Sequence, residues 1–108
     1  MAIAELNGAA IDGAESFHAA SKAAFGFPDT YGNTMDAWVD CLSYLRDEDA
    51  MSKFRLKPNE VLEIVVKDAA VMREKAPDLL DEMTYCVAGI NERYEDYGEK
   101  PALKLVLR

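Results

Sequence analysis

No run of apolar residues in this 108-residue chain approaches the roughly 18 to 20 needed to span a bilayer, so a membrane-crossing helix is excluded. Only two cysteines occur, Cys41 and Cys86, without the C-x-x-C spacing of a metal site and too few for the disulfide framework of a small secreted domain. Reduced, buried thiols are expected. The one histidine, His18, sits among alanines with no second histidine or cysteine close in sequence, which predicts a surface or half-buried structural role and no metal. The glycines form neither G-x-G-x-x-G nor G-x-x-x-x-G-K-[ST], so no nucleotide cofactor is supported. The opening Met1-Ala2-Ile3-Ala4-Glu5 lacks the basic segment and long apolar stretch of a secretory leader, and a cytoplasmic protein is the expectation.

Positive charge is also scarce. Twelve Lys and Arg face twenty Asp and Glu, a net charge of −8. The imbalance is concentrated: residues 28–49 carry −5 and residues 78–99 carry −6, leaving +3 on the rest. Two acidic segments on a slightly basic body form one negative surface if the helices bearing them pack side by side. Such a surface repels nucleic acid, whose binding requires clustered Lys and Arg, and it favours a basic protein partner.

A chain of this length buries enough surface for one core, and residues 1–108 read as a single domain. Ile3–Leu6 is a short strand candidate followed by a turn at Asn7-Gly8. Asp12, three residues before Glu15, opens a helix with Phe17, Ala20 and Ala24 inward, stopped by Gly26 and Pro28. A second helix starts near Asn33 or Thr34 and runs to about Leu45, with Met35, Trp38, Val39, Leu42 and Leu45 as its inward stripe. Residues 46–59 read as a loop with a short helical piece, pinned by Met51, Phe54 and Leu56. Val61–Val66 is nearly all apolar and suits a central parallel strand covered on both faces. Ala69–Lys75 and Asp78–Tyr97 read as helices, the latter stopped by Gly98, and Leu103–Leu107 as a closing strand. Strands separated by helices predict an α/β fold, a small three-stranded parallel sheet flanked by about four helices.

The second helix carries the most informative residues. Asp36 and Asp40 are one turn apart and project from the same face, a like-charge pair that costs a helix roughly 0.2 to 0.5 kcal/mol. Asp36 lies in the first turn, where the helix dipole welcomes it; Asp40 does not, and no Lys or Arg occurs between Lys22 and Arg46. The pair reads as a docking surface. Catalysis is disfavoured, since two acids on an exposed helix lack a cleft and Cys41 has no positioned base. A solvated acidic face serving only solubility is the bland alternative.

The string PDTYGNTMDAWVDCL, Pro28 to Leu42, resembles the barstar family, intracellular inhibitors of the ribonuclease barnase and its relatives. Ile3–Gly8 and Leu103–Leu107 resemble that family's first and last strands. The resemblance implies a stoichiometric, non-catalytic inhibitor that pushes an acidic helix and its preceding loop into a basic ribonuclease, with no cofactor. By position, Tyr31 and Asp36 match contact residues and Asp40 matches the carboxylate that takes the place of a substrate phosphate. Glu95 corresponds to a further acid of the last helix if the final strands align without a gap, with Glu99 one turn later. A gap at Gly98 instead puts Arg93 and Tyr97 there. Thr30 stands where the family has an aromatic, Thr34 where it has asparagine, Leu45 where it has tryptophan, and Trp38 is displaced so that Val39 fills its usual position. These thinned aromatic anchors leave a second reading open, an acidic module retargeted to a basic protein that is not a ribonuclease.

Overall fold

The computed structural model describes residues 2–108; Met1 lies outside the described residues. Three strands, β1 (Ala2–Asn7), β2 (Leu62–Lys67) and β3 (Leu103–Leu107), form a parallel sheet in sequence order, with Ala2 beside Leu62 and Leu62 beside Leu103. The helices are α1 (Ala14–Phe25), α2 (Met35–Leu42), α3 (Ala69–Lys75) and α4 (Pro77–Asp96). This is the α/β architecture the alternation of apolar segments predicts.

Sequence order has a physical consequence. Successive right-handed crossovers that step the same way across a sheet leave both connections on one face. Ala4, Leu6, Leu62, Ile64, Val66 and Leu103 accordingly join the helices in one core, whereas Ile3 and Lys104, on the opposite face, are exposed. The expectation that the central strand is covered on both faces is corrected. Val65 is buried but stands apart from the main core, with Glu5 and Val106 beside it in register.

Local differences also have causes. Asn7-Gly8 opens a single 3-10 turn, Gly8–Ala10, capped by the Asn7 side chain, and a Cβ on Gly8 would come within 2.5 Å of the Lys67 carbonyl oxygen. At the start of α1 the hydroxyl of Ser16, rather than Glu15, accepts from the Asp12 and Gly13 amides and donates to the Asp12 carboxylate. The inner face of α1 is Phe17, His18, Ser21 and Phe25, so two polar residues conceal its apolar stripe in the sequence. Residues 46–59 hold turns and no helix; the Lys53 amide donates to the Phe25 carbonyl and the Leu56 amide to that of Leu45, which bind the segment to the body. No helix among the described residues is long and apolar enough to cross a membrane.

Candidate functional site

The site begins with what fixes α2. Thr34 is the N-cap, its hydroxyl accepting from the Ala37 amide at 3.1 Å, so the exposed side chain of Thr34 has a structural task. Trp38 is fully buried, within ring-contact distance of Phe17 and Phe25, and its Nε1 donates to the buried Ser21 hydroxyl at 3.1 Å. This anchors α2 on α1. At the other end the Tyr94 hydroxyl accepts from the Leu45 amide at 2.9 Å and donates to the Leu42 carbonyl at 3.1 Å, which ties the end of α2 to α4. The turn after Leu42 ends the helix three residues before the predicted Leu45, which is nevertheless fully buried.

With Trp38 turned inward, Asp36 and Asp40 face outward on α2. Asp40 is not free of cations, as the sequence suggested. Arg93 of α4 places Nη1 3.7 Å from its Oδ1 and donates to the Ser43 hydroxyl at 3.2 Å, with more than half of the Arg93 and Asp40 side chains exposed. Two hollows open along the seam between α2 and α4. One, of about 490 Å³, is lined by Asp36, Val39, Asp40, Tyr85, Cys86, Gly89 and Arg93. The other, of about 560 Å³, is bounded by Ser43, Tyr44, Asp47, Tyr94, Asp96, Tyr97 and Glu99, and again by Arg93.

Tyr31 faces inward. Its side chain is only 7% exposed, packs 4.7 Å from the Phe27 ring, and its hydroxyl lies 2.6 Å from His18 Nδ1. The ring belongs to the core cluster beneath the loop before α2 and leaves little surface in the free chain for a partner's rim. Burial pushes the Tyr31 phenol well up and lowers His18, which favours a neutral phenol hydrogen-bonded to a neutral imidazole. His18 itself is buried, deeper than the surface or half-buried position expected of it. Thr30 is exposed in the same loop. Glu95 is exposed but lines neither hollow, and Glu99 is held 3.3 Å from Arg46. That arginine is nearly buried, its guanidinium 5.2 Å from the Tyr94 ring centre and donating to three carbonyls, those of Glu60, Lys100 and Pro101. Arg93 and Tyr97, the pair implied by a gap at Gly98, both border the second hollow.

Sequence reasoning missed Tyr44 and Tyr85, and reached Tyr97 only through the alternative alignment at Gly98. Tyr85 and Tyr97 are 80% and 85% exposed, Tyr44 is 43% exposed, and all three border the hollows. Their signal was present: Tyr85, Gly89, Arg93 and Tyr97 recur every four residues, one stripe of a helix whose other outward positions are largely acidic. Nothing lies within 4 Å of a Cβ placed on Gly89, so packing does not demand glycine there, and the residue lines the first hollow. Among the described residues no cluster of His, Cys, Asp and Glu is arranged to hold a metal ion, and Cys41 and Cys86 are free thiols raised by burial.

The class defined here is a one-sided parallel α/β layer whose helix seam displays carboxylates and tyrosines around Arg93. The chain belongs to the Barstar (barnase inhibitor) family, whose sequence profile matches residues 1–106. No curated protein matches the sequence closely enough to add a named relative.

Proposed function

We propose that this protein is a stoichiometric inhibitor of a basic ribonuclease in the cytoplasm, occluding the enzyme's active site without catalysing a reaction. The observation that carries the reading is the pair Asp36 and Asp40, outward on a helix that Trp38 and Tyr94 hold rigidly, in a chain of the Barstar family. Asp40 stands in for a substrate phosphate and accepts charge-assisted hydrogen bonds from the enzyme's cations; Asp36 pairs with a second basic side chain. Thr30 and Thr34 meet the enzyme from the loop, and Tyr44, Tyr85 and Tyr97 supply the aromatic anchors that Thr30 and Leu45 do not. Glu95 contributes at most at the periphery.

The test is titration against purified barnase with RNA cleavage as readout. Activity is lost at a one-to-one ratio, and association slows as salt rises because opposite surfaces steer the encounter. Asp40→Ala leaves a partner cation buried without its counter-charge, at a cost of about 3 to 5 kcal/mol, so dissociation accelerates by about a hundredfold or more. Unchanged dissociation removes Asp40 from the centre. A second reading, retargeting to a basic protein that is not a ribonuclease, is favoured by Arg93 beside Asp40, and binding without loss of cleavage supports it.

A further inference from the structure

Among the described residues Arg93 is the cation that lines both hollows. Its contacts with Asp40 and Ser43 are largely exposed, so they are weak and displaceable in water. A partner that covers the seam strips that water away, and the guanidinium then either repels the partner's own cations or finds an acceptor on the partner. Swinging toward Asp96 or Glu99 in the second hollow keeps the charge within the same seam. We propose that Arg93 is a specificity-determining residue of the docking face, selecting a partner whose basic site carries a carboxylate opposite Arg93 and disfavouring one that is uniformly cationic.

The inference rests on the docking face of the preceding section, yet its test does not require a ribonuclease. The probes are hexa-arginine amide and the same peptide with one central arginine replaced by glutamate, titrated into the 108-residue chain at low salt. Arg93→Ala binds the all-arginine probe at least about threefold tighter than wild type, the effect of removing one like charge from close range. Lys104→Ala, an equal change of net charge on the open face of the sheet, binds as wild type does, and the gain shrinks in the Asp40→Ala background. Placing glutamate in the probe costs wild type less affinity than it costs Arg93→Ala. Equal behaviour of Arg93→Ala and Lys104→Ala, or an equal glutamate cost in both backgrounds, overturns the inference. Failure of the ribonuclease reading shows separately, as absence of barnase inhibition while these ratios hold.

Discussion

Replacing Tyr94 with phenylalanine removes one oxygen atom and tests how α2 is held. The ring remains, and with it the stacking of Arg46 at 5.2 Å, so the change isolates the hydroxyl. That hydroxyl is buried and makes two hydrogen bonds, from the Leu45 amide and to the Leu42 carbonyl. A neutral hydrogen bond is worth about 1 kcal/mol net, and a buried amide left without its acceptor costs about 1 to 3 kcal/mol, so a loss of about 2 to 3 kcal/mol is expected. For a domain of this size that lowers the midpoint of thermal unfolding by about 10 to 15 °C. Urea denaturation gives the free energy and calorimetry the midpoint. Tyr97→Phe is the matched control: its side chain is 85% exposed with no side-chain hydrogen bond, and it should change stability by less than about 0.5 kcal/mol. Equal effects at the two positions would refute the claim that Tyr94 ties the end of α2 to α4.

Two further perturbations probe the scaffold. Gly8→Ala forces a methyl group to within 2.5 Å of a backbone oxygen of the strand beside it and should cost about 1 to 3 kcal/mol, seen as a lower urea midpoint at unchanged slope. Burial lowers the His18 pKa in the folded protein, so the unfolded chain binds a proton more readily; stability is present above about pH 6.5 and falls as pH drops through that value. Urea titrations between about pH 5 and 7.5 should show this slope in wild type and lose it in His18→Gln.

The architecture was legible because apolar periodicity changes visibly along the chain. Val61–Val66 is nearly continuous in apolar residues and became the central strand, and Leu80, Met83, Val87, Ile90 and Tyr94 mark the inner face of α4. Trp38 was readable as core from its spacing with Leu42. What sequence did not disclose was pairing across distance. Arg93 is fifty-three positions from Asp40, and only the packing of α2 on α4 makes them neighbours. The inward turn of Tyr31 depends on His18, a polar residue that hides a buried face. Exposed tyrosines look like core candidates until the direction of the helix face is known.

The seam between α2 and α4 draws on both halves of the chain, since α2 lies in the connection from β1 to β2 and α4 in the connection from β2 to β3. A molecule with only one β-α-β unit assembled therefore presents half a grip. On the function proposed above, recognition reads out completed folding, and a captured target raises resistance to unfolding with the logarithm of its concentration.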